Sequence, residues 1–234
     1  MLTIVLVEPE IPGNIGAVAR AMANFSFRKL AIVNPKCDPC SSEAVQRAKR
    51  AKNILKKAKL LRSFKDLKSW DYLIGTTGNL GSSYNILRLP ITPEQLGEKM
   101  RSLAKSKVAI ILGREGNGLT NEEIAQCDFT VTIATSPKYS SLNISHALTI
   151  LLYEIFKASK KKRIGQHIFP LPGNEKDQLL KKVNATLDAL PFTSEHRRNT
   201  QRSVWKRLIG KSLLTRREGH TLMGFFNKIK KQNI

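Results

Sequence analysis

Short apolar runs that alternate with helical patterns constrain the fold of this chain more than any other feature of its sequence. Each run is continuously apolar, as is typical of a strand that is covered on both faces of its sheet. A succession of strand, helix and strand favours parallel strands with helices packed on the sheet. The sequence therefore predicts an α/β fold with a mostly parallel sheet. The predicted strands are 2–7, 29–33, 71–76, 107–112 and 129–134.

Helical spacing of apolar residues predicts the elements between the strands. The predicted helices are 15–24, 42–59, 93–104 and 143–158, with a short helix after a capping box formed by Thr120 and Glu123. Beyond them, 160–174 contains a run of basic residues followed by glycines and prolines, which is typical of a linker. Three further helices are predicted at 175–190, 195–209 and 215–231. We therefore expect a domain at 1–159, a linker at 160–174 and a basic helical extension at 175–234.

The charge of the chain favours a polyanionic partner. It has 40 Lys plus Arg and 18 Asp plus Glu, a net charge of +22, and residues 157–234 carry +14 of that excess. A lysine-rich surface that only confers solubility or heat resistance is the alternative, but the uneven distribution favours nucleic acid. We find no apolar run near 20 residues, signal peptide or membrane-binding amphipathic end. The expectation is a soluble cytoplasmic protein without a membrane partner.

Three cysteines and four histidines offer little for metal binding. Cys37 and Cys40 form a single CxxC pair, and the histidines do not have metal-ligand spacing, so we expect no metal site. An odd cysteine count without an export signal indicates a reducing compartment. Cys37 and Cys40 form either a local disulfide or two free thiols in a loop.

The first polar motif follows the first predicted strand. It runs from Glu10 to Ala21 and includes Asn14 and Arg20. Small residues from Gly16 onward predict a helix that lies close to the sheet, with Arg20 directed back toward the carboxyl end of the first strand, where open α/β sheets bind ligands. A surface ion pair for Arg20 and a helix cap for Asn14 are the structural alternatives.

Two further motifs follow later strands. Gly113, Arg114 and Glu115 open a glycine-rich turn, in which glycines permit left-handed backbone and close approach of a ligand, although a tight turn alone would also explain them. The third motif comprises Ser140, Ser141, Leu142 and Asn143 at the start of a helix. One of Ser141 or Asn143 is expected to cap that helix, and the motif has more polar residues than a cap requires.

In this order the three motifs resemble those of the SpoU/TrmH branch of the SPOUT RNA methyltransferases, along nearly the whole chain. The likeness is closest to the TrmJ group, because the chain starts at the first motif and ends with Arg216, Glu218, Leu222 and Gly224 in a basic helical tail. The resemblance implies a deep trefoil knot, a homodimer, and S-adenosylmethionine as cofactor. It also implies methylation of a ribose 2′-hydroxyl in tRNA, at nucleotide 32 of the anticodon loop.

The resemblance also implies roles for particular residues. The expected cofactor-binding residues are Thr76, Thr77, Gly78, Gly113, Ile133, Ser140, Ser141 and Leu142. The expected catalytic residues are Arg20, Asn14, Glu115, Ser141 and Asn143. The basic tail is expected to bind RNA phosphates through Arg197, Arg198, Arg202 and Lys206. A methyltransferase acting on rRNA and a noncatalytic RNA-binding protein of the same fold are the alternative functions.

Overall fold

The computed structural model describes residues 1–78, 90–136, 138–159 and 170–232, and the chain divides into two compact units, Met1–Arg163 and Ile164–Ile234. The first unit is built on a six-stranded sheet in which every strand pairing is parallel. The predicted α/β class is therefore confirmed, whereas the trefoil knot stays a prediction. The strands are β1 (Leu2–Val7), β2 (Leu30–Val33), β3 (Lys59–Leu61), β4 (Tyr72–Thr76), β5 (Val108–Leu112) and β6 (Phe129–Val131).

The order of the strands places a crevice at one edge of the sheet. The order is β3-β2-β1-β5-β4-β6, so successive strands extend first to one side of β1 and then to the other. β1 pairs with β5 in a register that sets Leu6 opposite Leu112, and the two carboxyl ends lie side by side. Ligands of open α/β sheets bind where the strand order reverses in this way. The first two polar motifs meet at that point.

Helices pack on the sheet largely as the sequence predicts. In chain order they are α1 (Pro12–Asn24), α2 (Ser42–Ala48), α3 (Lys52–Lys56), α4 (Pro93–Ser102), α5 (Asn121–Gln126) and α6 (Ile144–Ser159). The predicted capping box of α5 is present, since Thr120 and Glu123 exchange backbone-to-side-chain hydrogen bonds. The apolar stripe of α6 is buried at Ile144, Leu148 and Leu152, so the helical periodicity located its core-facing side correctly.

The predicted helix at 42–59 is wrong in its second half. Lys49 adopts a positive φ of 53°, which ends α2, and a 3-10 turn leads into the short α3. The last residue of the predicted helix begins β3, which pairs with β2 at the sheet edge. Lys59 and Leu60 are exposed and only Leu61 is buried. A three-residue edge strand with one buried side chain has no apolar pattern from which it could be predicted.

The small residues of α1 do not all face the sheet, contrary to expectation. A Cβ at Gly16 would lie 2.2 Å from the Ala44 carbonyl oxygen and 2.8 Å from Arg47 Cβ. Gly16 therefore allows α1 to approach the backbone of α2, and Ala23 is exposed. The close contact brings the exposed Arg47 to the same side of α1 as Arg20.

The turn after β5 is held by Arg114. Its guanidinium donates to Glu8 Oε2 at 2.8 Å and to both carboxylate oxygens of Glu123 at 3.0 Å. The Arg114 side chain is 21% exposed and that of Glu123 is 11% exposed, so water competes weakly for these bonds. The hydrogen bond from Arg114, followed by that from Asn34, holds the pKa of Glu8 below its ordinary value. The two charges that the sequence places side by side, Arg114 and Glu115, thus have separate partners.

The cysteines of the first unit are all free thiols, which settles the alternatives left open for the CxxC pair. The Cys37 thiol donates to the Pro9 carbonyl oxygen at 3.5 Å. Burial, followed by the charge of Glu115, raises the pKa of Cys37. A raised pKa disfavours the thiolate, so Cys37 is a poor nucleophile.

The second unit contains α7 (Gly173–Ala189), α8 (Glu195–Ser212) and α9 (Arg216–Gln232) around its own apolar core. Residues 160–169 of the predicted linker lie outside the described residues, and the domain limits stay a prediction. Within the range predicted as the linker, Leu171 is buried in this core and α7 begins at Gly173. Within the described ranges, no helix is long and apolar enough to cross a membrane.

The close contact at Gly16 predicts that alanine substitutions at two helical glycines, Gly16 and Gly224, will change stability in opposite directions. Alanine in a helix interior is favoured over glycine by about 1 kcal/mol, but overpacking costs about 1–3 kcal/mol. We expect Gly16→Ala to lower the thermal stability of the first unit, because its Cβ would clash with the Ala44 carbonyl. Gly224→Ala is the control, since a Cβ there meets no atom within 4 Å and should slightly stabilise α9. Calorimetric unfolding of both variants checks this, and a more stable Gly16→Ala would contradict it.

Removal of Arg114 should destabilise the first unit. Hydrogen bonds to charged groups contribute about 1.5–3 kcal/mol, so we expect Arg114→Gln to lower the free energy of unfolding by about 3 kcal/mol at pH 7. Because the folded-state pKa of Glu8 is lowered, its contribution is present above its ordinary pKa of 4.5 and is lost as pH falls through the lowered value. Urea unfolding at several pH values measures the difference in the free energy of unfolding between the wild type and Arg114→Gln, and this difference should become smaller in acid.

The matched control for Arg114 is Arg28→Gln. Arg28 is exposed ahead of β2, at the opposite edge of the sheet, and such surface changes usually stay within about 0.5 kcal/mol. Equal losses in the free energy of unfolding for Arg114→Gln and Arg28→Gln would show that the hydrogen bonds of Arg114 do not stabilise the first unit.

Candidate active site

A cavity of about 230 Å³ lies at the carboxyl ends of β4, β5 and β6, against the start of α6. The residues expected to bind the cofactor come from separate segments of the chain, and the structure brings every one of them to the wall of this cavity. They are Thr76, Thr77, Gly78, Gly113, Ile133, Ser140, Ser141 and Leu142. The sheet edge thus combines the second and third motifs with the end of β4.

The cavity wall is partly apolar and partly main chain. Its apolar side includes Leu119, Val131 and Leu151, and its polar side includes the turn from Gly113 to Gly118. Pockets of this composition bind small organic ligands, with the apolar walls covering the rings and a few polar groups fixing their orientation. A side chain at Gly113 is excluded by the fold, because its Cβ would lie 2.1 Å from the Gly118 carbonyl carbon. Gly118 has a φ of +67°, so both glycines are required by the turn itself.

A second cleft lies between α1, α2 and α6. Its lining consists of Asn14, Ala17, Arg20, Ala21, Asn24, Arg47, Asn143, Ser145, His146 and Thr149. Three of the five residues expected to be catalytic line this cleft, namely Asn14, Arg20 and Asn143. The other two, Glu115 and Ser141, line the first cavity.

A hydrogen-bond network joins the cavity to the cleft. Glu115 accepts a bond from Asn14 Nδ2 at 3.2 Å and is further bound by the backbone amides of Glu10 and Ile11. Asn14 Oδ1 in turn accepts from Asn143 Nδ2 at 2.9 Å. A side-chain hydrogen bond therefore joins Asn14 of the first motif to Asn143 of the third. Glu115 of the second motif binds Asn14 at the same point.

The structural alternatives for these residues are now decided. Asn14 is not a helix cap, because α1 has Ile11 at its N-cap position followed by Pro12, and no side chain caps it. Asn143 does cap α6, since its Oδ1 accepts from the Ser145 amide at 2.9 Å and from the Ser145 hydroxyl at 2.7 Å. The cap turns the amide nitrogen of Asn143 toward Asn14, so capping and network formation use opposite ends of one side chain.

Arg20 is exposed, and no carboxylate in the described part of the chain holds it. Among the residues that the structure describes, it makes no hydrogen bond or salt bridge, which rules out the surface ion pair as its structural role. The guanidinium is therefore available to a ligand in the cleft. Its planar donor groups suit carboxylate or phosphate oxygens.

No pattern in the sequence selects Arg47, Ser145 or His146, which also line the cleft. Arg47 lies on a different helix from Arg20, and the close packing of α1 on α2 at Gly16 brings the two to one cleft. Ser145 and His146 closely follow the third motif along the chain. That proximity to Asn143 was the only available signal.

The basic residues expected to bind RNA lie on α8, in different environments. Arg197 is exposed. Arg198 forms a salt bridge with Glu195 and lies over the Phe192 ring at 5.7 Å from its centroid. Arg202 is bonded to Asp188, Glu195 and Asn199, and Lys206 is partly buried. Of the four, Arg197 is thus the most accessible to a phosphate.

Comparison with known proteins supports one family. Residues 1–153 match the family model described as the SpoU rRNA Methylase family. The chain is 36% identical over 228 residues to the tRNA (cytidine-2′-O-)-methyltransferase TrmJ of Methanocaldococcus jannaschii, covering 97% of this chain and 98% of that relative. It is 30% identical over 242 residues to the tRNA (cytidine/uridine-2′-O-)-methyltransferase TrmJ of Escherichia coli K12, covering 99% and 96%.

A solved structure agrees with these relatives. TrmJ from Z. mobilis ZM4 superposes with a TM-score of 0.71 at 25% identity, covering 98% of this chain and 99% of that one. The likeness extends through both units rather than through the sheet alone. The chain belongs to the SpoU methylase family, with TrmJ proteins as relatives along nearly its whole length.

Proposed function

We propose that this protein transfers a methyl group from S-adenosylmethionine to the ribose 2′-hydroxyl of nucleotide 32 in the anticodon loop of tRNA. The observation that carries the proposal is the hydrogen bond between Glu115 and Asn14, because it joins the predicted cofactor cavity to the cleft that contains Arg20. The relatives named as tRNA 2′-O-methyltransferases support the same chemistry. The proposed site of action is the cytoplasm.

The cavity residues fit S-adenosylmethionine. Apolar side chains can cover the adenine ring, and main-chain groups near Gly113 and Leu142 can bind its polar edges and the ribose hydroxyls. Ser140 and Ser141 add hydroxyl groups at the same wall. When bound, the cofactor supplies a methyl group made reactive by its sulfonium. The protein must then hold the acceptor oxygen in line with that methyl and exclude water.

Asn14 and Asn143 are placed to orient the acceptor ribose. Each side-chain amide has two N–H hydrogens and uses one of them in the network, so each can donate the other to a ribose oxygen. Glu115 accepts bonds from three donors, and we assign it the positioning of Asn14 rather than removal of a proton. Ser141 contacts the cofactor or the ribose from the cavity wall.

Arg20 is assigned to the RNA itself. A guanidinium stays protonated in proteins and is a poor base, but it binds a ribose hydroxyl and a neighbouring phosphate well. Its exposure in the cleft, with no carboxylate partner among the described residues, leaves it available for that contact. We propose that Arg20 fixes the ribose so that its 2′-oxygen faces the cofactor cavity.

The second unit is proposed to bind the RNA backbone through Arg197, Arg198, Arg202 and Lys206, and the enzyme is proposed to act as a homodimer. The family model's own description names rRNA, so ribosomal RNA is the alternative substrate. Phosphate neutralisation by arginine and lysine gives affinities that fall as salt rises.

The proposed reaction is tested with tritiated S-adenosylmethionine and undermodified tRNA. We expect the wild type to methylate tRNA, and mass spectrometry of the product to locate the methyl group on the ribose of nucleotide 32. Arg20→Ala should reduce turnover by roughly 100-fold, because a misplaced acceptor reacts slowly. Its cofactor affinity, measured by calorimetry, should be unchanged, since Arg20 does not line the cofactor cavity.

Arg28→Ala is the control and should retain full activity. Near-normal methyl transfer by Arg20→Ala would overturn the role of Arg20. Methylation of ribosomal fragments with none of tRNA would overturn the substrate, and failure to bind the cofactor would overturn the enzymatic proposal.

RNA binding by α8 should depend more on Arg197 than on Arg198. On a duplex, each phosphate that is no longer neutralised changes the slope of log affinity against log salt by about 0.9. We expect that change for Arg197→Gln, because Arg197 is exposed, and a smaller change for Arg198→Gln, whose charge already interacts with Glu195. Filter binding of tRNA at several salt concentrations measures both, and equal slopes for Arg197→Gln and wild type would contradict the assignment.

A further inference from the structure

Among the described residues that line the cleft containing Arg20, the charged side chains are all positive. The lining includes two arginines, three asparagines, a histidine, a serine and a threonine, and no aspartate or glutamate belongs to the part of it that the structure describes. Side-chain amides, hydroxyls and an imidazole can all donate hydrogen bonds. A cleft with this lining is suited to an anion.

Arg20 and Arg47 differ from the other well-placed arginines of the chain. Arg114 and Arg216 each bind carboxylates within the protein. Arg20 and Arg47, in contrast, have no salt bridge or hydrogen bond within the described part of the chain, and both are exposed. Two like charges at one cleft repel each other, and a bound anion would remove that repulsion.

The position of Arg47 is set by packing and not by its own sequence neighbours. Gly16 allows α1 to contact the α2 backbone, where Arg47 Cβ lies against it. His146 reaches the same cleft from α6, in the first turn of the helix that Asn143 caps. The three helices thus converge on one cleft, which also contains the amides proposed to hold the ribose.

We propose that Arg47 and His146, together with Arg20, bind the RNA phosphate adjacent to the methylated ribose. The proposal rests on the proposed function, and it adds two contact residues that lie outside the three motifs. A guanidinium binds both non-bridging oxygens of a phosphodiester at once, and an imidazole N–H can donate to one of these oxygens or to a bridging ester oxygen. The phosphate then fixes the nucleotide on the side away from the cofactor cavity.

The first test measures RNA binding and needs no turnover. We expect Arg47→Gln in the full chain to reduce the slope of log tRNA affinity against log salt by about 0.7–0.9, the change expected when one phosphate is no longer neutralised. Arg47→Lys should restore most of the slope, because it keeps the charge. Arg28→Gln, an equal loss of charge at the opposite sheet edge, should change the slope less than Arg47→Gln does. Gln retains the Cβ that packs against Gly16, and unchanged circular dichroism and thermal unfolding will show that the variant is folded.

The second test identifies the phosphate. After mass spectrometry has located the methylated nucleotide, two RNA substrates are made, each with one uncharged methylphosphonate, either 5′ or 3′ to that nucleotide. With unmodified RNA we expect Arg47→Gln and His146→Ala to raise KM while cofactor affinity stays constant. With one of the two methylphosphonates the effect of Arg47→Gln should disappear, because that position then carries no charge for Arg47 to bind.

The outcomes separate this inference from the proposed function. Normal methyl transfer by the wild type, with an Arg47→Gln variant equal to Arg28→Gln in salt slope and KM, overturns the phosphate site and leaves the function intact. An Arg47-dependent salt slope in a protein that does not methylate tRNA supports the site and overturns the function. Persistence of the Arg47→Gln effect with both methylphosphonates also overturns the phosphate site.

Discussion

The parallel pairing of β1 with β5 is the contact on which the site depends. It aligns Leu6 with Leu112, so the segments that follow both strands leave the sheet side by side. Glu8 then meets Arg114, and Asn14 meets Glu115, although each pair is separated by more than 100 positions in sequence. The loops that follow these two strands are held by charged hydrogen bonds with limited exposure to water.

The arginines of this chain divide into those that hold the structure and those that are available to a ligand. Arg114 has its donors directed at Glu8 and Glu123, and Arg216 binds Glu175. Arg20 and Arg47 are exposed at a cleft whose described lining includes no acidic residue. Net charge alone could not make this distinction, because a salt-bridged guanidinium and an available one contribute the same formal charge.

Much of the fold and of the cavity could be predicted from the sequence. Five strands and the apolar side of α6 are predictable because burial imposes a pattern on successive residues. The eight expected cofactor residues come from motif resemblance, and the parallel sheet explains why they share a cavity, since the carboxyl ends of its strands meet at one edge. Their roles, like those of the catalytic residues, stay predictions.

Other features could not be predicted because their causes lie elsewhere in the chain. The residue pattern around Asn14 is equally compatible with a helix cap, and only the observed start of α1, with Ile11 at its N-cap position, excludes that role. Flanking prolines indicate a linker at Leu171, yet it is a core residue of the second unit. β3 buries only one side chain, and a single buried residue cannot produce the periodic apolar pattern from which a strand is predicted.

The sequence by itself determined the α/β class, the three polar motifs and the concentration of positive charge beyond residue 157. The fold class and the motifs depend on residues that are close together in the sequence, and the distribution of charge follows from composition, so all three can be read from the sequence directly. Only the tertiary structure decided that Arg47 and His146 join Arg20 at one cleft. Their meeting depends on three helices packing together, and the closest approach is set by the missing side chain of Gly16, a contact that no pattern along the chain describes.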